Sequence, residues 1–261
     1  MTLIRKPAVA GYFYPDNKDN LKKQIKKYFS VAKDNKIFGR AVISPHAGYV
    51  YSGQAAAFAI SSFLENKEKI KRIILFGPAH RYSLSGIAAD SAEKFQTPLG
   101  NVPVDLELTE KLINSFLIQY NDEAHAKEHS LEVQLPFLQE VIKKFKIVPL
   151  VAGNTNEEEI AEVIKFLWED KSNYFIISSD LSHYLSYEKA KKKDRETSDY
   201  IEKLEFNKIS SDRACGSLLI NGFLRAAKKL NLKVKTLYLT NSGDTGGDKS
   251  SVVGYGAYCF I

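Results

Sequence analysis

Short apolar runs alternate along this chain with longer segments of helical period, and that alternation constrains the fold more than any other feature. The stretches "RAVIS" (40–44), "RIILFG" (72–77), "KIVPLVAG" (146–153) and "YFIISS" (174–179) carry apolar residues at consecutive positions. Strands covered on both faces read this way. "SGIAA" (85–89) reads as a further short strand, and "VKTLYLTNSG" and "SVVGYGAYCFI" as closing strands. Between them, helices are expected from about Gln54 to Leu64 and over "LELTEKLINSF", "SLEVQLPFLQEVIKKF", "NTNEEEIAEVIKFLWE", "YEKAKKKDRETSDYIEKL" and "CGSLLINGFLRAAKKL". In "NTNEEEIAEV" an Asn or Thr cap precedes acids in the first turn. Pro136 sits awkwardly inside its own helical pattern. The alternation predicts an α/β fold: one αβα sandwich around a central, mostly parallel or mixed sheet. The 261 residues show no repeat and no low-complexity linker, which fits one domain over residues 1–261. The glycine-rich turn "NSGDTGGDKS" (241–250) matches neither phosphate-binding loop pattern and reads as a long hairpin or flap.

Composition narrows the function classes. Apolar residues make up 44% of the chain, enough for a sizeable core. No run approaches the roughly 18 consecutive apolar residues of a membrane span. "MTLIRKPAVAGYFYP" has no apolar signal core and no A-x-A site. No membrane partner and a cytoplasmic location are therefore expected. The net charge of +6 comes mostly from lysines grouped in "NLKKQIKKYF", "VIKKFK", "EKAKKKDRE" and "RAAKKLNLK". Each group lies on a helix-like pattern and reads as a solvated helix face. Basic residues spread over several helices make nucleic acid an unlikely partner. Abundant Lys and Glu with few Cys, Met and Trp also fit a protein that works hot. The two cysteines, Cys215 and Cys259, are too far apart in the chain to read as a disulfide framework. Cys259 lies in an apolar strand, where it acts as a small hydrophobe.

Histidine placement points to a site. His46 follows the run "RAVIS", His80 follows "RIILFG", and Asp180 and His183 follow "YFIISS". In open α/β sheets ligands bind beyond the carboxyl ends of the strands, so parallel neighbours would bring these groups together. Imidazole is both the commonest metal ligand and the usual acid/base near neutral pH. Cys215 stands at the head of an apolar helix, where the helix dipole favours a thiolate. Two His and one Cys would give a three-ligand site with open positions, suited to copper, iron or zinc. A buried small residue is the competing reading of Cys215. A separate motif, "HAKEH" (His125 to His129), matches the inverted zinc-peptidase pattern with Glu128 as base. It requires a helix through His125, whereas the helical period begins only near Leu131; His129 and Glu132 are expected at the head of that helix.

The motifs "KPAVAGYFYP", "PHAGYVYSG", "GPAH", "TPLG", "EHSLEVQLPFL", "SSDLSH" and "SSVVGYGA" occur in this order along the chain. Together they resemble the Memo-like family, whose microbial members are also called AmmeMemoRadiSam system protein B. The resemblance spans essentially the whole chain. It implies a fold similar to the class III (LigB-type) extradiol dioxygenases, which are non-haem iron enzymes. It implies metal ligands at His46, His80 and Cys215, with Asp180 and His183 lining the same pocket and His183 as the acid/base group. The related dioxygenases complete their site with a carboxylate; Cys215 in that place shifts preference toward softer ions. Phe13 stands where animal relatives carry a tryptophan in a pocket used for phosphotyrosine peptides.

Three functions compete. The first is an iron(II)- or copper-dependent oxidoreductase, with zinc also possible. In it His183 is oriented by Asp180, and His129 hydrogen-bonds a small-molecule substrate. The second is a non-catalytic protein that docks a peptide or partner, including the radical-SAM and AMMECR-type proteins the family name implies. The third is a zinc peptidase using His125, Glu128 and His129. An oligomer paired through edge strands is also expected.

Overall fold

The computed structural model describes residues 2–261. The chain opens with a two-residue strand β1 (Ile4–Arg5) and helix α1 (Lys18–Ala32), capped by Asn17, whose side chain accepts the N–H groups of Asp19 and Asn20. Strand β2 (Ala41–Ser44) and helix α2 (Tyr49–Ser61) follow, then β3 (Arg72–Pro78), β4 (Ile87–Ala89), β5 (Lys94–Thr97) and β6 (Gly100–Pro103). Helix α3 (Leu106–Ser115), β7 (Ile118–Tyr120), the short α4 (Asp122–Ala126) and α5 (Leu135–Val141) lead into β8 (Lys146–Ala152). The second half runs α6 (Glu157–Trp168), β9 (Asn173–Ser178), β10 (His183–Leu185), α7 (Tyr187–Glu202), α8 (Ser217–Lys229), β11 (Val234–Asn241) and β12 (Val252–Phe260).

A nine-stranded mixed sheet runs in the order β10-β12-β2-β9-β3-β8-β4-β7, with β11 paired to β12. Its centre, β2-β9-β3-β8, is parallel throughout. Strand β12 is antiparallel to β2, and β4 is antiparallel to β8. A small three-stranded sheet, β1-β5-β6, stands apart.

The two-residue period of a strand divides the apolar runs between two cores. Ile73 and Leu75 of β3, Tyr174 and Ile176 of β9, and Val42 of β2 face the layer that contains α1, α2 and α5. Ile74 and Phe76, Phe175 and Ile177, and Ala41 and Ile43 face the layer that contains α6 and α8. Both faces are covered, and the α/β sandwich expected from the alternation is the one observed. The closing strands also form as expected, joined by the glycine-rich turn.

Several boundaries differ from the sequence expectation. Helix α2 begins at Tyr49, five residues before Gln54. The helix expected over "SLEVQLPFLQEVIKKF" contracts to α5 behind a 3₁₀ turn at Glu132–Gln134. Pro136 explains the start, because its missing N–H is harmless only in a first turn. At the other end Ile142 is extended, so Lys143 and Lys144 lie in a turn and not on a helix face. The strands β1, β5, β6 and β7 have no counterpart in the sequence reading; they are two to four residues long, too short to show a period.

One buried ion pair ties the amino terminus to the centre. Glu132 is fully buried and Arg5 nearly so. Arg5 Nη1 bonds Glu132 Oε2, while Nη2 donates to the carbonyls of Glu128 (2.5 Å) and His125 (3.0 Å). Glu132 also accepts the N–H groups of Ala8 (2.7 Å) and Val9 (3.0 Å) and the hydroxyl of Tyr14 (2.5 Å). Removing one partner of such a pair leaves an uncompensated buried charge. Glu132→Ala is expected to lower unfolding free energy by about 3–5 kcal/mol, read from urea denaturation. The double variant Arg5→Met/Glu132→Gln is expected to lose less than Glu132→Ala.

Candidate metal centre

Parallel pairing sets the site. Strand β9 lies between β2 and β3, with Ser44 opposite Ser178 and Phe76 opposite Ile177. The three chains therefore leave the sheet at the same edge, and His46, His80 and Asp180 follow within a few residues. The His46 and His80 rings lie 5.0 Å apart between centroids. His129, delivered by the loop before α5, closes a triangle at 5.4 Å from His46 and 4.8 Å from His80. Cys215 arrives from the segment before α8, with Sγ 3.3 Å from His46 Nε2. A ligand atom from each of His46, His80 and Cys215 lies within 4.8 Å of the other two. Gly216 permits this approach: a Cβ there would stand 2.8 Å from Ser179 Cβ.

Hydrogen bonds fix both imidazole tautomers. The Ser178 hydroxyl donates to the Ser130 carbonyl at 2.6 Å and accepts from Gln134 Nε2 at 3.0 Å. Gln134 is oriented in turn, because its Nε2 also donates to the Pro45 carbonyl (2.9 Å) and its Oε1 accepts from Ser44 (2.8 Å). With its single proton given to Ser130, Ser178 Oγ can only accept from His46 Nδ1 at 2.9 Å. His46 therefore carries its proton on Nδ1 and turns a bare Nε2 toward Cys215. At His80, Nδ1 stands 3.1 Å from Glu128 Oε1, and a carboxylate only accepts. In the neutral form of each ring, Nε2 is the nitrogen left without a proton. A hydrogen bond from the far ring nitrogen is the usual support of a metal-ligating histidine.

Glu128 is the residue that the sequence reading placed elsewhere. It is buried, and its carboxylate accepts the backbone N–H of His80 (2.6 Å), His129 (2.9 Å) and Ser130 (2.9 Å) besides the His80 ring. Burial by itself would raise its pKa, but these hydrogen bonds hold it below the usual carboxylate range. His129 Nδ1 lies 3.2 Å from the same oxygen, outside hydrogen-bonding alignment, and is a buried polar atom with no hydrogen-bond partner among the described residues. Phe13 packs edge-on against the His129 ring at 4.9 Å.

The "HAKEH" alternative does not assemble. Helix α4 ends at Ala126, so His125 and His129 share no helix face. The His125 ring is buried away from the cluster, with Nε2 against the Ala88 carbonyl at 3.0 Å and Phe95 beside it. Glu128, the base in that reading, holds His80 in place.

Asp180 and His183 are both at this edge, but not as an orienting pair. Asp180 Oδ1 accepts the N–H of His46 at 2.8 Å, so the carboxylate fastens the exit of β2; no hydrogen bond joins it to His183 among the described residues. Burial pushes Asp180 up to about 7, with the backbone bond from His46 opposing. His183 lies in a β-bulge against Val252 and Val253, and the next residue, Tyr184, has φ 59°. Such bulges redirect a side chain next to a site. Burial lowers the pKa of His46, His129 (to about 4) and His183, so all three are neutral near pH 7. Cys215 departs from expectation. It precedes the cap Gly216 of α8, and burial pushes its thiol up to about 12, outweighing the helix dipole. Its Sγ accepts the N–H of Asp180 at 3.3 Å. Beside Cys215 opens a cleft of about 310 Å³ lined by Tyr82, Leu84, Leu218 and Leu219 with Ser83 and Asn154.

The tautomer assignment is testable directly. Long-range ¹⁵N NMR correlations of the metal-free protein are expected to show His46 and His80 protonated at Nδ1, with Ser178→Ala releasing His46 to a mixture. Protonation at Nε2 in the wild type would overturn the hydrogen-bond assignment.

The model of the family described as Memo-like protein matches residues 5–259. Proteins named "MEMO1 family protein" align over nearly all of both chains. One from Methanosarcina mazei is 38% identical, covering 97% of this chain and 98% of the relative. One from Aquifex aeolicus is 36% identical over 99% of each. One from Sulfurisphaera tokodaii is 39% identical, covering 97% and 98%. The chain belongs to the Memo-like family.

Proposed function

We propose that this protein is a metal-dependent oxidoreductase whose ion, iron(II) or copper with zinc as a further fit, is held by His46, His80 and Cys215. The supporting observation is the donor set: two imidazoles with Nδ1 tied back, Nε2 free, and a thiol within 4.8 Å of each. Soft sulfur with imidazole suits these ions, and three protein ligands leave positions open. A thiol whose pKa is pushed up this far stays protonated near neutral pH, and a bound cation would release its proton. A redox-active ion bound there would exchange electrons with oxygen or a small molecule.

The chain's own residues supply the rest. Glu128 and Ser178 keep the two imidazoles aimed and raise their basicity. His183, kept neutral by burial, takes up the substrate proton. The unpartnered His129 Nδ1 hydrogen-bonds the substrate, and Phe13 limits its size on that side. The cleft beside Cys215 suits a small, partly apolar molecule. Asp180 holds the His46 segment through the backbone N–H of His46.

A second reading, a docking protein without turnover, draws on two exposed aromatic residues. Tyr12 is 89% exposed next to Phe13, and Tyr184 is 77% exposed next to His183. A peptide or the radical-SAM and AMMECR-type partners would dock there.

Metal content of untagged protein, by mass spectrometry after anaerobic loading with Fe(II) or Cu(I), tests the site. Near-stoichiometric metal is expected in the wild type and in His125→Gln, and its loss in Cys215→Ser and His46→Ala. Glu128→Gln is expected to weaken metal affinity by about 10–100-fold. A wild type that takes up no metal under any loading would remove the assignment. Oxygen consumption by the loaded protein separates the enzyme from the docking protein.

A further inference from the structure

The opposite edge of the sheet carries a second feature. A groove of about 1020 Å³ opens where β3 and β8 begin. Lys67, Lys71, Lys143 and Lys144 line it, all exposed and without an ion-pair partner among the described residues. These lysines come from segments more than seventy residues apart in sequence. The same lining includes the partly exposed Leu99 and Phe145, with Asn101 and Gln139 as polar neighbours.

The carboxylates nearby leave that charge mostly uncancelled. Asp105 is buried and taken by Arg72 Nε at 2.6 Å and Lys146 Nζ at 3.6 Å; Asp170 takes the other side of Arg72 at 3.0 Å. Glu68 is the remaining acid on the lining. Asp105 also accepts the N–H of Leu108, so the positive end of α3 is already occupied. A compact phosphate ligand would seek such a helix end and a bidentate arginine. Neither is free here. What remains is four flexible point charges in one groove with an aromatic ring and an apolar side chain, Phe145 and Leu99, a combination suited to a backbone of repeated phosphates whose bases stack inward.

We propose that this groove binds single-stranded nucleic acid without sequence preference. A duplex keeps its base faces stacked and could not use the ring. The sequence alone reads Lys143 and Lys144 as part of a solvated helix face. The chain reversal after α5 and the 3₁₀ turn Leu64–Lys69 before β3 bring all four to one groove.

Fluorescence anisotropy with labelled oligo-uridine and oligo-thymidine of about 15 nucleotides tests this on the full chain. Wild type is expected to bind both, with log Kd rising linearly with log salt between about 50 and about 200 mM. Lys143→Gln/Lys144→Gln and Lys67→Gln/Lys71→Gln are each expected to weaken binding roughly tenfold and to reduce the salt slope by about 1.4. Lys189→Gln/Lys192→Gln on α7 makes the same charge change on the helix packed against β11 and β12, and is expected to leave binding unchanged. Phe145→Leu keeps the packing and removes the ring; a loss of about fivefold or more is expected. Equal weakening by the α7 pair would reduce the effect to net charge and overturn the site. Poly-glutamate or a nucleoside triphosphate competing as well as the oligonucleotide, an unaffected Phe145→Leu, or no binding at the lower salt would each overturn it too.

Discussion

The position of β9 between β2 and β3 is the constraint on which the site depends. Parallel strands in one sheet must leave it in the same direction, and their backbone groups, buried on both faces, have no partners but each other. His46 and His80 need no attraction for one another to meet. They are carried together by the pairing of Ala41 to Ser44 and of Arg72 to Phe76 with β9. The two cores hold that centre rigid, because every second residue of the same strands belongs to each. Precision at the sheet edge is thus inherited from packing well below it.

Aim is a separate matter from placement. Two imidazoles at 5 Å could face any direction, and proximity alone chooses no tautomer. Ser178 and Glu128 make that choice by having no other proton arrangement open to them. Each is saturated: the hydroxyl by Ser130, Gln134 and His46, the carboxylate by three backbone N–H groups and His80. The loop that supplies Glu128 and His129 is held from behind by Arg5 and Glu132, so the first residues of the chain support the carboxylate that orients His80.

The fold has two chemically unlike edges. The carboxyl edge collects histidines, a thiol and a small cleft. The amino edge of the same strands collects lysines with Phe145 and Leu99. Strand β3 runs seven residues from Arg72 to Pro78, a rise of roughly 20 Å. A rigid sheet keeps the two surfaces at a constant spacing, and each can be altered without disturbing the other.

Much of the architecture was legible in the chain. Consecutive apolar residues announced strands covered on both faces, and helical periods between them announced the layers. The strand-end positions of His46, His80, Asp180 and His183 predicted convergence, because a parallel sheet leaves chain ends no other edge. Short elements were not legible, since two to four residues carry no period. Local pattern also misjudged Lys143 and Lys144, which a proline-set helix start and an early stop at Val141 move into a turn. The roles of Glu128, Ser178 and Asp180 belonged to tertiary structure alone. A carboxylate or hydroxyl in a loop has many possible partners, and only the packed chain decides which of them remain once water is excluded. Sequence determined which groups reach the site; the closed hydrogen-bond network determined which atoms they turn toward it.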